Sequence, residues 1–374
     1  MIDLYTASVL VFFVVLGVII YRDRKNLDIK YILVMKRTKR FRNAIDRIAR
    51  ISPKFWKVVG TIAILVCIFT MVYTTAIIFI TQPSVQFVLP TPSATVSSGP
   101  GYILIPFWFW IITIFCILVP HELFHGIMAR AEKIKLKSVG LLLLAIFPGA
   151  FVEPDEKEVK KAKTLTKLRI FSMGSFANFL VSFTVLYLII YLIWPMSIDP
   201  GIKLINVTEG SPADLAGLKP GMFLTEMNGK NITITYSEYL GGSYLSDELG
   251  NKKPNDTIIV KSGGSIYDLK LGFNKETNST YMGVTYTPNT KANSDFFLRI
   301  LIPLLNMISL FSFAVGSVNI LPIYPLDGGL IVEAITDRFA KKKSKKIVRA
   351  ITYLVLIILI YSFFKPFIIR FLGL

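Results

Sequence analysis

Histidine is scarce in this chain: 374 residues hold two, His121 and His125. Cysteine is as rare, at Cys67 and Cys116. Two cysteines exclude a disulfide framework and a zinc cluster of the finger type. Both fall in apolar stretches, where a thiol serves as a small buried hydrophobe. Acidic residues number 24 against 42 Lys and Arg, a net charge of +18. That surplus invites nucleic acid as a partner, but it is concentrated beside apolar runs, which points to a lipid bilayer and not to nucleic acid. Apolar residues make up 53% of the chain and the mean hydropathy is +0.57, above the range of a soluble domain.

Six apolar spans stand out, near Leu4–Tyr21, Val58–Ile80, Tyr102–Ala129, Ile170–Trp194, Phe296–Leu321 and Ile347–Phe371. Most have the ~20 residues needed to cross a hydrocarbon core. The first lacks the basic start of a signal peptide and is followed by Arg22, Arg24 and Lys25, the pattern of a retained anchor. The loop Arg22–Lys57 carries 13 Lys/Arg against 3 Asp/Glu (13 − 3 = +10), so it is expected in the cytoplasm. The connection Thr81–Gly101 has no Lys or Arg and is expected outside. By alternation Glu132–Lys167 lies inside, Pro195–Asp295 outside and Lys341–Lys346 inside. The sequons at Asn206, Asn231, Asn255 and Asn278 all fall in the segment expected outside. The basic runs Lys36–Arg42 and Lys341–Lys346 suit anchoring to anionic lipid, and Phe107-Trp108-Phe109-Trp110 suits an interfacial aromatic belt.

The expected architecture is therefore a polytopic α-helical membrane protein of about six transmembrane helices with an inserted extracytoplasmic β-rich domain. Residues 1–100 form two accessory helices and a basic cytoplasmic loop, 101–195 and 296–374 form the two halves of a helical core, and 196–295 form the insert. Within the insert, Ile202–Val207 and Phe223–Met227 read as strands, Ser211-Pro212-Ala213 as a helix start with Ser as N-cap, and Asn228-Gly229 as a turn. Thr257–Val260 and Ile266–Leu271 read as later strands. The block Val207–Gly229, centred on Ser-Pro-Ala-Asp-Leu-Ala-Gly-Leu-Lys-Pro-Gly, resembles the PDZ domains of membrane and periplasmic proteases. Met222 stands where that family usually has Asp, and the second half of the domain diverges. PDZ domains bind extended peptides at a sheet edge, which implies a peptide or ectodomain partner.

The two histidines sit four apart, as His121-Glu122-Leu123-Phe124-His125, within the third span. That spacing puts both imidazoles on one helix face, where they can share a zinc ion, with Glu122 beside them as general base. Pro120 just before them is expected to kink the helix or widen a water path. A catalytic zinc keeps three protein ligands, and with no histidine left the third must be Asp, Glu or Cys. The stretch from Asn319 to Gly329 ends the fifth span with Pro322 and Pro325, and Gly328-Gly329 would let the backbone turn sharply. Asp327, on this irregular stretch, is the best candidate; as a bare turn it would instead read as the N-cap of a helix through Ile335.

His-Glu-x-x-His in one span, paired with Asn-x-x-Pro-x-x-Pro-Leu-Asp-Gly in a later one, resembles the site-2 proteases, zinc metalloproteases that cleave inside the membrane. The resemblance covers about Tyr102–Leu330. It implies one Zn2+ per chain held by His121, His125 and Asp327, with Glu122 as catalytic base. It also places the family's asparagine on Asn319 and the Gly-x-x-x-Asn of the intervening span on Gly174 and Asn178. Asn319 and Asn178 are then expected to donate to the oxyanion or the substrate backbone, and Asn178 alternatively to bond between helices. Gly149 to Pro154, including Phe151, looks like the hairpin that holds substrate; Gly149, Phe151 and Gly174 are expected substrate contacts, Gly174 alternatively a site of close helix packing. The implied substrate is a transmembrane helix of another membrane protein. The active site would lie in the membrane toward the cytoplasmic side. The first two spans and the last lie outside the shared core. Two other functions remain open: a prenyl-processing type of membrane zinc protease, with a glutamate as third ligand, and a membrane-anchored PDZ adaptor with an inactive metal site. A soluble zincin with a tail fits poorly, since the motif sits in an apolar span.

Overall fold

The structure is a computed structural model that describes residues 3–83, 86–99, 101–242, 244–274, 278–292 and 294–372. Helix α1 (Leu4–Asp23) is capped by Asp3, whose side chain accepts from Thr6 N. A hairpin of β1 (Asp28–Lys30) and β2 (Leu33–Arg37) leads to α2 (Lys39–Ile51). Helix α3 (Pro53–Thr81) starts with Ser52 accepting from Phe55 N and with proline at its first position. Strands β3 (Phe87–Thr91), β4 (Ser97–Gly99) and β5 (Tyr102–Pro106) precede α4 (Phe107–Ala131). Then come β6 (Leu136–Leu144), β7 (Phe147–Pro154), α5 (Glu156–Lys161) and α6 (Thr164–Leu188). Asp155 caps α5 by accepting from Glu158 N and Lys157 N, and these bonds hold its carboxyl below the ordinary carboxylate range.

After α6 the helix continues through a π-helical turn, Ile189–Ile193, into α7 (Trp194–Ser197). The inserted region follows: β8 (Ile198–Val207), α8 (Pro212–Leu215), β9 (Phe223–Met227), β10 (Lys230–Asn231), α9 (Tyr236–Gly241), α10 (Tyr244–Leu249), β11 (Thr257–Ser262), β12 (Ser265–Lys270), β13 (Gly272–Asn274), β14 (Ser279–Tyr281) and β15 (Val284–Thr290). A second π-helical turn, Phe297–Leu301, opens α11 (Ile302–Asn319), which is followed by α12 (Asp327–Phe339) and α13 (Ser344–Leu372). Among the described residues six helices are long and apolar enough to cross a membrane, and they fall on the six expected spans. The chain is an integral membrane protein. One boundary differs: Tyr102–Pro106, expected as the start of the third span, is a strand that pairs in parallel with β3, and the helix begins at Phe107. Pro120 lies inside α4, which continues past it.

Two compact units emerge: residues 1–185 with 307–374, and residues 186–306. In the first, α3 is central. Ala63 packs with Ile127 and Met128 of α4 and with Ile170 and Met173 of α6. Cys67 packs with Phe179 and Ile331, and Ile78 with Leu321, Ile323 and Val355 of α13. The second and sixth spans, which the resemblance left outside the shared core and without a role, thus pack on its helices. Both spans are apolar on every face, those not packed in the protein included, so no helical periodicity marked them. In the aromatic cluster Phe107 and Trp110 are buried, and Trp108 gives its indole N–H to Ser8 Oγ of α1 at 2.9 Å, so the cluster makes a helix–helix contact. The basic loop hides an amphipathic helix, α2, whose Ile45 and Ala49 are buried against α4 while Arg47 and Arg50 stay exposed. A four-stranded sheet, in the order β1-β2-β6-β7, joins the N-terminal hairpin to the segment after α4.

In the second unit, the sheet order is β12-β11-β9-β8-β15, with β10 on β9. Ser211 caps α8, accepting from Asp214 N, and Asn228 and Gly229 both take positive φ in the expected turn. Asn206, Asn231, Asn255 and Asn278 are exposed.

Gly60 marks the tightest contact of α3: a Cβ there would lie 2.7 Å from Met128 Sδ and 3.2 Å from the Arg169 side chain. Gly17 of α1 has nothing within 4 Å. Gly60→Leu should destabilise the protein by about 1–3 kcal/mol, and Gly17→Leu should be near neutral. Thermal unfolding in detergent checks both.

Candidate metal centre and active site

Helix α4 presents His121 and His125 one turn apart, with Nε2 atoms 3.2 Å from each other. Asp327 Oδ2 lies 3.4 Å from His121 Nε2 and 3.3 Å from His125 Nε2. Asp327 neither sits on the irregular stretch nor caps the helix: it is the first residue of α12, with Leu326 as N-cap, and residues 320–326 form the break. Gly328 and Gly329 are helical, with no positive φ. Their role is space: a Cβ would lie 1.9 Å from Ile320 O at Gly328 and 2.5 Å from Tyr324 N at Gly329. Bare glycines let α12 start against its own approach loop, and that brings Asp327 to the histidines. Tyr324 N donates to Thr352 Oγ1 of α13 at 3.0 Å, fixing the loop from its other side.

Three lone-pair donors meeting at 3.2, 3.3 and 3.4 Å repel one another unless a proton or a metal ion sits among them. Tetrahedral zinc bonds of about 2.0–2.2 Å would place ligand atoms about 3.3 Å apart, so the set fits that ion. His125 is already in the right tautomer: its Nδ1 lies 2.7 Å from Ile170 O, a carbonyl that can only accept, so Nδ1 carries the proton and Nε2 is free.

Helix α6 forms the floor. Ile170, Gly174 and Asn178 recur at intervals of four and share one face. A Cβ at Gly174 would lie 2.2 Å from His125 Nε2 and 2.6 Å from His121 Nε2. Gly174, read either as a substrate contact or as a site of close helix packing, leaves the space that admits both imidazoles. Ser175 Oγ donates to Asp327 Oδ2 at 3.3 Å. Asn178 is fully buried, its amide nitrogen 3.1 Å from His121 Nδ1. That contact runs between α6 and α4, as in the interhelical alternative for Asn178.

Glu122 is half-buried, and its Oε2 accepts from Val152 N of β7 at 2.9 Å. Phe151 and Glu122 line one apolar cavity with Phe41, Phe115 and Val119. Gly149, another expected substrate contact, pairs with Leu142 of β6, and a Cβ there would meet that side chain at 2.6 Å. Asn319 ends α11 and lines a separate cavity with Thr113, Ile117 and Val318, outside the His–Asp cluster. Sequence reasoning missed Ile170, Ser175, Val152 and Thr352. Two of them act through the backbone, which no residue type advertises; Ser175 could have been found from its place beside Gly174.

Gly174→Ala should weaken zinc binding at least about tenfold, because the methyl fills the space between the ligands. Chelator competition on the purified protein reads this directly.

Comparison with known proteins agrees with this geometry. The model of Peptidase family M50 matches residues 109–362. An uncharacterised protein of Methanocaldococcus jannaschii is 26% identical over 346 residues, covering 90% of this chain and 87% of that one. A protein of Arabidopsis thaliana named membrane-bound transcription factor site-2 protease homolog is 29% identical over 181 residues, 47% of this chain and 33% of its own length. The matched segment begins at the helix that carries both histidines and ends beyond Asp327, so the chain belongs to Peptidase family M50, the site-2 protease family of membrane metalloproteases.

Proposed function

We propose that the chain is a zinc-dependent intramembrane endopeptidase that cuts transmembrane segments of other membrane proteins in regulated proteolysis. The observation that carries this reading is the meeting of His121, His125 and Asp327 beside Glu122 on an apolar helix. His121, His125 and Asp327 would hold the ion. When bound, zinc supplies a Lewis acid that lowers the pKa of a coordinated water to about 7. Glu122, next to His121, takes the proton of the attacking water and passes it to the leaving amine. Its bond to Val152 N keeps the carboxylate beside strand β7. Strand β7 is an edge of its sheet, so an unwound substrate segment can add to it and lie along the base. Unwinding is required because helical carbonyls are already hydrogen-bonded. Asn319 borders the neighbouring cavity, in reach of a substrate chain passing α4 and α11.

The positive loop Arg22–Lys57 supports a cytoplasmic location for the basic segments and the inserted domain on the opposite side. That domain is read as PDZ-like. Strand β15 is an edge of its sheet, and a cavity beside it is lined by Glu238 and Tyr239 of α9 and by Val284, Thr285 and Tyr286. An extended peptide from a substrate ectodomain suits such a groove, and binding there would restrict cleavage to trimmed substrates. A prenyl-processing protease, with glutamate as third ligand, is disfavoured by the contacts of Asp327. A PDZ adaptor with an idle metal site is distinguished by Glu122.

In liposomes with single-span substrates, Glu122→Gln should lower cleavage about 10²–10⁴-fold with zinc content unchanged. Equal product from both proteins would end the protease reading. Asp327→Ala should lose both zinc and activity; full zinc retention would return the third ligand to a glutamate.

A further inference from the structure

Zinc ligation through His121 Nε2 needs the ring proton on Nδ1, and Nδ1 needs an acceptor. For His125 the acceptor is a main-chain carbonyl. For His121 the side chain in reach of Nδ1 is the Asn178 amide, at 3.1 Å, and the Gly174 main chain also contacts the ring. An amide has one donating and one accepting end of nearly the same shape, so chemistry decides which end faces the ring. With Nδ2 toward the ring, Nδ1 must accept, the proton moves to Nε2, and that proton points at His125 Nε2 and Asp327. The same arrangement leaves Asn178 Oδ1 buried without a hydrogen-bond partner, and turning the amide over brings that oxygen to the ring. With the amide turned over, Oδ1 accepts from His121 Nδ1–H and the Nε2 lone pair is released toward His125 and Asp327.

We infer that Asn178 is a positioning residue of the metal centre: its side-chain carbonyl holds His121 in the tautomer that binds zinc. The inference rests on the metalloprotease reading and deepens it. Asn178 is well placed for this task. It is completely buried on the α6 face that also carries Gly174 and Ile170, and its Cβ is held from behind by α11, where a Cβ on Gly316 would come within 3.2 Å of it. One face of one helix then sets both imidazoles, by a main-chain carbonyl below and a side-chain carbonyl above.

The test is zinc affinity of the full-length protein in detergent, measured by chelator competition, together with the visible spectrum of the cobalt(II)-substituted protein. Asn178→Leu, which keeps the bulk and removes the acceptor, should weaken binding about 10–100-fold and alter the cobalt spectrum. Asn178→Asp, which keeps an acceptor, should stay within about threefold of wild type, a rescue that a packing role would not produce. If Asn178→Leu does not survive extraction, Asn178→Ala against Asn178→Asp carries the same contrast. Wild-type affinity in the acceptor-free variant would overturn the inference and leave the metalloprotease reading intact. Equal weakening in Asp and Leu variants would overturn it too. A wild-type protein that binds no zinc would remove both.

Discussion

Everything at the centre of this molecule depends on how closely α6 approaches α4. Two imidazoles occupy the space that a side chain at position 174 would fill, so a hydrogen in place of a methyl decides whether the ligands can converge. The same economy recurs where α12 starts, since Gly328 and Gly329 let that helix press on its own approach loop. Close approach needs supports on the far side. Helix α3 supplies one by packing on both α4 and α6, and α13 supplies another by taking the N–H of Tyr324. Both come from spans that carry no chemistry.

The buried polar groups follow the same logic. In an apolar bundle an unpaired donor or acceptor is expensive, and three ionisable side chains of the site have polar partners. His125 uses a main-chain carbonyl, Asp327 a serine hydroxyl and Glu122 a main-chain N–H. Farther along, Glu132 is shared by Arg169 at 2.7 Å, Thr166 at 3.1 Å and Lys57 at 3.6 Å, which ties α3, α4 and α6 together where they leave the apolar region.

Much of this was legible in the sequence. Spans announce themselves by length and apolar content, and four-residue spacing puts His121 and His125 on one face without any structure. Turn chemistry was readable in the insert, where Ser211 and Asn228-Gly229 do what their types suggest. Other features carried no signal. Gly174 read either as a substrate contact or as a packing site because a glycine in a motif does not say whether it leaves room for a guest or for a neighbour. Tyr102–Pro106 reads as helix because an apolar run near a span lacks any periodicity to mark it as a strand. Helix α2 was hidden by the charge of its loop, although Phe41, Ile45, Ile48 and Ala49 recur at helical intervals. Main-chain partners such as Ile170 O and Val152 N have no residue type to betray them.

The sheet behind the base has two ends, and they are unlike. Strand β1 is three residues long and bears Asp28 and Lys30, with Asp28 paired to Arg37. Shortness and charge are how proteins blunt a strand edge against unwanted partners. Strand β7 has eight residues and no charge from Phe147 to Val152. The N-terminal hairpin also covers β6, which would otherwise be a second long apolar edge. Residues 28–37 precede the segment matched to the family and contribute no ligand, yet they close two of the ways by which a foreign strand could join this sheet. What stays open is the one edge whose main chain already touches Glu122.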